Sequence, residues 1–325
     1  MKPKLLIVEL WGLGDLAIAT PFLRAAAKKY SVTLLAKPFA HDLQPRLWPD
    51  VRVETFIAPW TAFERKYHLW HWPWLEMERL RTRLVSAQFD IGLSARWDPR
   101  DHLLLKLASV QQSLGFPRIQ SQIFINRPLE RPHPQAHRYE SWRFLARELQ
   151  MELPSREQIF NPAPRAERTI LLHSGAAQPV RVWPLEKFQM LAIHLRQKKI
   201  PVQIACDPDQ RAFWLAAGET TVTTPADGSE LIALIDQAGV FIGNDSGPGH
   251  LAAICGVPTF TVFGPQLPEW FSPLHPSSEW IQGRACPYKP CSDYCRFPVP
   301  FCLNNIGEEE VFERVEKFLA VSILR

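Results

Sequence analysis

Short apolar runs alternate along this chain with amphipathic stretches of helical period and with turns rich in glycine. In the first half, apolar runs at residues 4–10, 32–36 and 89–94 predict buried strands, and residues 16–29 and 139–150 predict helices. In the second half, strands are predicted at residues 169–173, 202–205, 238–242 and 259–263, and helices at 185–199, 231–237 and 308–322. This alternation predicts two α/β domains, each built on a parallel sheet, that face each other across a cleft.

Length and composition agree with this arrangement. The chain has 325 residues, which is long for one core, and its 46% hydrophobic and 22% charged residues are typical of globular proteins. A net charge of +4 implies no general affinity for nucleic acid. The segment Asn161-Pro162-Ala163-Pro164-Arg165 indicates a linker between the two domains.

No apolar run in the sequence reaches the length that spans a bilayer, and residues 1–10 lack the cleavage site of a signal peptide. We therefore expect a cytoplasmic protein. Residues 60–74 are dense in Trp, His and Pro with scattered Arg and Lys, and no metal spacing stands out among the histidines. This segment predicts either an amphipathic surface for an amphiphilic substrate or membrane, or a loop folded over its own domain.

The turn between the predicted strand at 238–242 and the following helix is a candidate anion site. It contains Gly243 and Gly247, and such a turn leaves backbone N–H groups pointing outward at the positive end of a helix dipole. Asp245, Ser246 and His250 add an acid, a hydroxyl and an imidazole. The alternative is an ordinary capped turn with structural roles for these residues.

A second glycine turn follows the first predicted strand. Gly12 and Gly14 lack the third glycine of a dinucleotide fingerprint, which disfavours an ordinary NAD site. Asp15 is then a carboxylate at the carboxyl edge of a sheet, where ligands collect, or simply a helix cap. Arg96 and Arg100 follow the strand at 89–94 and indicate either contacts to a polar acceptor or solvated loop charges.

Two further patterns raise the question of metal. Four cysteines lie close together near the C-terminus, and their thiolates predict either a structural zinc site or free thiols and disulfides. They are Cys286, Cys291, Cys295 and Cys302. The pair Asp207 and Asp209 is similar to metal-binding acids, although the intervening proline favours a turn.

Four sequence blocks together resemble glycosyltransferase family 9, the ADP-heptose:lipopolysaccharide heptosyltransferases. In chain order they are Leu5-Leu6-Ile7-Val8 with Leu13-Gly14-Asp15 and Thr20-Pro21; His173-Ser174-Gly175-Ala176 with Arg181-Val182-Trp183-Pro184; Gly243-Asn244-Asp245-Ser246-Gly247 with His250-Leu251-Ala252-Ala253; and Gly256-Val257-Pro258 with Phe263-Gly264-Pro265. They run from residue 5 to about residue 265.

The resemblance implies a GT-B fold of two Rossmann-like domains. Residues 1–160 are then the acceptor-binding domain and residues 161–307 the sugar-nucleotide-binding domain, which includes the cysteine-rich tail at 286–302. Residues 308–325 form a C-terminal helix that packs back on the first domain. The family inverts the anomeric centre and requires no cofactor or metal for catalysis, so the zinc would be structural.

The resemblance also implies roles for individual positions. Asp15 matches the family's general base, and Arg181 falls where the family has a basic ligand of the phosphates. The predicted donor contacts are Ser174, Gly175, Asp245, Ser246, Gly247 and His250. The predicted acceptor contacts, Arg96 and Arg100, come from the charges after the strand at 89–94 and not from the resemblance.

The implied activity is transfer of a heptosyl or related sugar from an ADP-sugar to a lipopolysaccharide core or another lipid-linked envelope glycan. Peripheral contact with the inner face of the cytoplasmic membrane would suit such an acceptor. After the strand at 202–205, however, Cys206 to Gln210 replaces the glycine-rich sequence and glutamate that often bind the donor ribose. A UDP- or GDP-sugar donor therefore remains an alternative, as does a sugar-nucleotide-binding protein without turnover.

Overall fold

The computed structural model describes residues 2–62, 68–159, 169–291 and 294–322. The chain divides into two compact units, Met1–Leu153 and Pro154–Arg325. The predicted linker at residues 161–165 lies outside the described residues.

The first unit is a six-stranded parallel sheet with helices. Its strands are β1 (Lys4–Val8), β2 (Ser31–Ala36), β3 (Arg52–Thr55), β4 (Ile91–Leu93), β5 (Gln112–Gly115) and β6 (Arg127–Pro128). Its helices are α1 (Leu13–Lys29), α2 (Ala40–Leu47), α3 (Trp74–Ala87), α4 (Pro99–Leu107) and α5 (Arg138–Glu148). The strand order is β3-β2-β1-β4-β5-β6, and every neighbouring pair is parallel.

The order of strands in this sheet reverses at β1. Leu5 pairs with Val32 of β2 on one side and with Ile91 of β4 on the other. The connections leave β1 in opposite directions, so a crevice opens between the carboxyl ends of β1 and β4. Open α/β sheets bind ligands at such a switch point.

The second unit contains a five-stranded parallel sheet. Its strands are β7 (Ile170–His173), β8 (Val202–Ala205), β9 (Val240–Asn244), β10 (Thr259–Phe263) and β11 (Ser278–Gln282). Its helices are α6 (Leu185–Gln197), α7 (Arg211–Ala216), α8 (Gly228–Asp236), α9 (Gly247–Ile254), α10 (Pro268–Phe271), α11 (Phe301–Asn304) and α12 (Glu308–Ser322). The strand order β11-β10-β9-β7-β8 places the switch point between β7 and β9.

Each sheet is buried by its own helices, which explains why the central strands are almost entirely apolar. Leu6 and Val8 of β1 lie in the core of the first unit with residues of β2, α3 and α4. In the second unit, Ile170 and Leu172 of β7 pack with residues of α6, β9 and β10. The predicted α/β class with parallel sheets is confirmed.

The C-terminal helix requires a correction. Its bounds agree with the sequence prediction, but the family resemblance implies that its apolar face packs on the first domain. Val311, Val315 and Phe318 instead lie in the core of the second unit, where α12 contacts α6 and β11. The Phe318 ring lies 5.7 Å from that of Phe260 in β10. An amphipathic pattern identifies the buried face of a helix but not the surface that covers it.

Candidate active site

Asp15 lies in the first turn of α1, directly after β1. Its Oδ2 accepts a hydrogen bond of 3.0 Å from the backbone N–H of Gly12, which precedes the helix. Asp15 therefore does cap the start of the helix, which is one of the two roles expected from the sequence, but this hydrogen bond uses only one of its two carboxylate oxygens. The side chain keeps about a fifth of its surface exposed, at the edge of the sheet where the strand order reverses.

Arg96 reaches Asp15 from the neighbouring strand. It follows β4, and its Nη2 forms a close ion pair with Asp15 Oδ1, while its Nε lies 3.7 Å from Glu9 Oε1. The guanidinium also stacks over the Trp11 ring at 5.2 Å. Strand order brings these residues together, since β1 and β4 are adjacent although Arg96 and Asp15 are far apart in sequence.

Arg100, the second predicted acceptor contact, is held differently. Its Nε and Nη2 donate to the Asp98 carboxylate at 2.8 and 2.6 Å, and Asp98 also caps the N-terminus of α4. Arg100 lies over the Trp60 ring at 5.9 Å. The two arginines predicted as acceptor contacts therefore have different partners: Arg96 pairs with Asp15, and Arg100 pairs with Asp98.

Several more ionisable groups lie around Asp15 and Glu9, and burial perturbs most of them. Burial raises the pKa of Glu9 to about 8 against the opposing charge of Arg96, and raises that of Asp101 to about 7. Burial lowers the pKa of Lys37, and it lowers that of Arg138 to about 10, while Asp15 and Glu9 oppose both shifts. A carboxylate surrounded by partly desolvated cations is typical of a functional site. Glu9, Lys37 and Arg138 are not among the residues that the sequence predicts here.

In the second unit, the carboxyl ends of β7 and β9 are joined by side-chain hydrogen bonds. Asn244 Nδ2 donates to the Ser174 carbonyl at 2.8 Å, and Asn244 Oδ1 accepts from the Trp183 N–H at 2.9 Å. The Ser174 hydroxyl is fully buried, donating to Gln210 at 2.8 Å and accepting from Trp214 at 2.9 Å. These contacts favour a structural role for the Ser174 hydroxyl over the predicted donor contact.

Arg181 and Asp245 meet at this second switch point. Arg181 Nη1 lies 3.3 Å from both Asp245 Oδ2 and the Asp245 carbonyl oxygen. The Asp245 side chain is only 2% exposed, whereas that of Arg181 is 24% exposed, so the guanidinium presents part of its surface to a ligand. A partly exposed guanidinium held by a buried acid is suited to binding phosphate oxygens.

The N-terminus of α9 lies directly after Asp245. Ser246 is the N-cap residue, and its buried hydroxyl has no hydrogen-bond partner within the described ranges. Gly247 begins the helix, and His250 is buried in its first turn. The first N–H groups of a helix lack intrahelical partners, so they and the Ser246 hydroxyl are available to an anion. Asp245, Ser246, Gly247 and His250 therefore lie together at one helix terminus, as predicted.

Asp207 lies beside the other glycine turn. A Cβ on Gly175 would come within 2.3 Å of the Asp207 Cγ, so only glycine permits this approach. Burial raises the pKa of Asp207, Asp209 acts in the same direction, and a hydrogen bond from the Ala176 backbone opposes them. The segment 206–210, which departs from the family pattern, thus still places an acid at the carboxyl end of β8.

The four C-terminal cysteines line one narrow cavity together with Lys289 and Arg296. No group of three or more His, Cys, Asp or Glu residues in the described part of the chain is arranged to hold a metal ion. The thiols are near neighbours, since the charges of the other three affect the pKa of Cys302, which burial raises above its usual range. The predicted structural zinc site therefore has no support.

The tryptophan-rich segment has a buried and an exposed part. Ring centroids lie 5.5 Å apart between Trp60 and Trp72 and again between Trp72 and Trp74, which links the buried Trp60 to the surface. Trp70 is 84% exposed and Leu75 is 77% exposed. Residues 63–67 lie outside the described residues. Across the described ranges, no helix is long and apolar enough to cross a membrane.

Two units with parallel sheets, each with polar residues at its switch point, are typical of the GT-B class of glycosyltransferases. The model of glycosyltransferase family 9 (heptosyltransferase) matches residues 77–298, about two thirds of the chain, and the chain belongs to this family. It is therefore a glycosyltransferase. The matched region includes the Arg181 and Asp245 site, whereas Asp15 precedes it.

Two curated relatives carry lipopolysaccharide names. Lipopolysaccharide heptosyltransferase 1 of Pseudomonas aeruginosa is 25% identical over 276 residues, covering 75% of this chain and 78% of that protein. Lipopolysaccharide heptosyltransferase 3 of Escherichia coli K12 is 34% identical over 104 residues, which is 29% of this chain and 30% of that protein. The chain therefore aligns with less than a third of the E. coli relative's length.

Solved structures extend the likeness of the fold to the whole chain. E. coli heptosyltransferase WaaC with ADP has a TM-score of 0.75 at 20% identity, covering 97% of this chain and 99% of that one. A glycosyl transferase family 9 protein of Veillonella parvula has a TM-score of 0.77 at 17% identity, covering 99% of each chain. A further E. coli WaaC structure holds ADP-2-deoxy-2-fluoro heptose, with a TM-score of 0.72 at 18% identity. The predicted GT-B fold is confirmed.

Proposed function

We propose that this protein transfers a heptosyl or related sugar from an ADP-sugar to lipopolysaccharide or another envelope glycan, with inversion and without a catalytic metal. The observation that carries the proposal is the anion site of Arg181, Ser246 and the α9 N-terminus at the switch point of the second sheet. Lipopolysaccharide appears in the names of both curated relatives, and ADP is bound in the solved WaaC structure.

The proposed reaction moves one proton, forms one carbon–oxygen bond and breaks another. Asp15 takes the proton of the acceptor hydroxyl, whose oxygen forms a bond to the anomeric carbon. The bond from that carbon to the donor phosphate breaks, and its electron pair leaves on ADP. Negative charge develops on the departing diphosphate, where the Arg181 guanidinium, the Ser246 hydroxyl and the first N–H groups of α9 stabilise it.

The charges around Asp15 also favour an anionic acceptor. Lys37, Arg96 and Arg138 all interact electrostatically with Asp15 and Glu9, and each is largely removed from solvent. Cations that have lost much of their hydration gain most from a ligand that carries phosphate or carboxylate groups. The acceptor we propose therefore bears such groups beside the hydroxyl that is glycosylated.

Asp207 bears on the donor nucleoside, which the sequence pattern leaves open. A carboxylate after the second strand of a Rossmann-like unit is the group that binds ribose hydroxyls in many nucleotide sites. Asp207 lies in that place against Gly175. Ribose recognition by Asp207 suits an ADP-sugar, and it equally suits the UDP- and GDP-sugars of the alternative donor.

The exposed side chains of the tryptophan-rich segment support peripheral contact with the cytoplasmic membrane. Trp70, Trp74, Leu69 and Leu75 are each at least half exposed, and tryptophan favours the boundary between lipid and water. Contact of this surface with the inner leaflet would bring a lipid-linked acceptor to the protein.

Thermal-shift measurements with ADP, UDP and GDP test the donor. We expect ADP to raise the melting temperature most, and a response to UDP or GDP alone would favour the alternative donors. Transfer is then measured as ADP release from ADP-heptose with heptose-deficient lipopolysaccharide. Asp15→Asn should abolish transfer with little change in ADP affinity. Transfer that survives this change would show that Asp15 is not the base, and binding without any transfer would favour a non-catalytic protein.

A further inference from the structure

Glu9 is a buried acid that the proposed reaction does not use. It follows β1 directly, and its side chain is 2% exposed. Its own N–H donates to the Leu35 carbonyl at 3.0 Å, which continues the pairing of β1 with β2 and fixes the direction of the side chain. Within the described ranges, Oε1 accepts one hydrogen bond, a long one of 3.4 Å from the Trp11 backbone N–H. A carboxyl group in this position is poorly solvated, so its ionisation depends on the charges around it.

Arg96 connects Glu9 to Asp15. The same guanidinium pairs with Asp15 through Nη2 and lies 3.7 Å from Glu9 through Nε. The backbone N–H of Arg96 donates to Ser94 Oγ at 3.1 Å, and the guanidinium itself is held between the two acids and over the Trp11 ring. A fixed cation between two acids divides its attraction between them according to which of them is ionised.

We propose that Glu9 is a positioning residue that sets the base strength of Asp15 through Arg96. When Glu9 is neutral, the positive charge of Arg96 acts on the Asp15 carboxylate without competition from Glu9 and makes Asp15 a weaker base. When Glu9 is ionised, Arg96 is shared and a second negative charge lies nearby, so Asp15 holds a proton more strongly. The inference rests on the proposed role of Asp15 as the base.

The surrounding charges allow this change near neutral pH. The titratable groups that face Glu9 come from the three helices α1, α4 and α5 and from the loops after β2 and β4; they are Asp15, Asp101, Arg138, Lys37 and Arg96. Burial and the two acids raise the pKa of Glu9 to about 8, although Arg96 opposes them. Glu9 therefore changes its charge within the range in which an enzyme works, whereas an exposed glutamate is already ionised.

The pH dependence of kcat/KM tests the inference with Glu9→Gln, which mimics neutral Glu9. The substrates are ADP-heptose and heptose-deficient lipopolysaccharide. Between about pH 6 and 9 we expect kcat/KM of the wild type to rise roughly two- to tenfold, because one pKa unit of base strength is at most a factor of ten. Glu9→Gln should equal the wild type at about pH 6 and lack the rise.

Two controls distinguish positioning from a structural role. Glu9→Asp keeps an ionisable group and should restore part of the rise. Glu148→Gln removes an acid that pairs with Arg127 elsewhere in the same unit, and its profile should match the wild type. A Glu9→Gln profile that superimposes on the wild type, or that is lowered equally at every pH, would overturn the inference.

A measurement without turnover separates this inference from the proposed function. In protein labelled with ¹³C at the aspartate carboxyl carbons, the Asp15 resonance is assigned by its loss in Asp15→Asn. We expect this resonance to show an inflection near pH 8 that Glu9→Gln removes. An Asp15→Asn variant that still transfers sugar refutes the proposed base, whereas an Asp15 resonance without the inflection refutes the coupling to Glu9 alone.

Discussion

Arg181 provides the most direct test of the proposed leaving-group site. Arg181→Met removes the charge while retaining a side chain of similar length. The loss of one preorganised group that stabilises developing negative charge costs about 10²–10³ in kcat, or about 3–4 kcal/mol. Because Arg181 is partly exposed and contacts the diphosphate in the proposed complex, we expect ADP affinity to fall as well, by roughly tenfold.

The same substitution affects folding stability, and the structure gives the expected size. Asp245 is 2% exposed and would lose its ion pair with Arg181. Breaking a fully buried pair costs about 3–5 kcal/mol, and the 24% exposure of Arg181 reduces our expectation to about 1–3 kcal/mol. The thermal midpoint shows whether the variant remains folded at the assay temperature, and a folded variant should still lose the full factor in kcat.

The assay compares three variants by kcat, by ADP affinity from calorimetry and by thermal midpoint. Arg181→Lys keeps the charge but not the two-pronged geometry, and it should retain part of the activity. Arg196→Met is the matched control, because Arg196 pairs with Glu219 at the surface of the same unit. If Arg181→Met keeps kcat within threefold of Arg196→Met, the reasoning about the leaving group is wrong.

Three further outcomes follow from the same contacts. Ser246→Ala should weaken ADP binding by about tenfold but destabilise the fold by less than about 0.5 kcal/mol, because the buried hydroxyl has no partner within the described ranges. Calorimetry measures the ADP affinity and thermal melting the stability. A loss of stability as large as the loss of binding free energy would contradict this prediction. Replacing both Trp70 and Trp74 with Ser should reduce cosedimentation with anionic phospholipid vesicles, whereas Ile119→Ser, at another exposed apolar position, should not; unchanged cosedimentation would refute the membrane surface. The pKa of Glu9 is about 8 in the folded protein and 4.5 at its usual value, so the wild type loses stability as the pH rises from about 4.5 to about 8. Glu9→Gln does not titrate, and the amount by which its thermal midpoint exceeds that of the wild type should therefore grow over this range. A constant difference would contradict the raised pKa.

The second unit can be predicted from sequence more completely than the first. Its strands β7 to β10 are apolar runs bounded by clear turns, and the glycines and polar residues from Gly243 to His250 indicate an anion site by themselves. In the first unit β3, β5 and β6 are short, and β3 has no fully buried residue, so no apolar run indicates them. Helix α3 lies beside the tryptophan-rich segment, whose composition hides its helical period.

Pairings between distant residues cannot be predicted in the same way, because they depend on strand order. In the sequence Arg96 is a charge at a strand end, but its contact with Asp15 requires that β4 lie next to β1. Glu9 falls within an apolar run, and nothing local reveals that it faces a cation. The approach of Asp207 to Gly175 likewise requires that β8 pair with β7.

Both units use the same construction at their switch points, with an Arg–Asp pair that joins two adjacent strand ends. In the first unit Asp15 is partly exposed and Arg96 also lies near a second acid, so the carboxylate is left available to a substrate proton. In the second unit the exposures are reversed, because Asp245 is buried and Arg181 reaches the surface. In the proposed reaction, the more exposed member of each pair meets the substrate: the acid where a proton is removed, and the cation where negative charge develops.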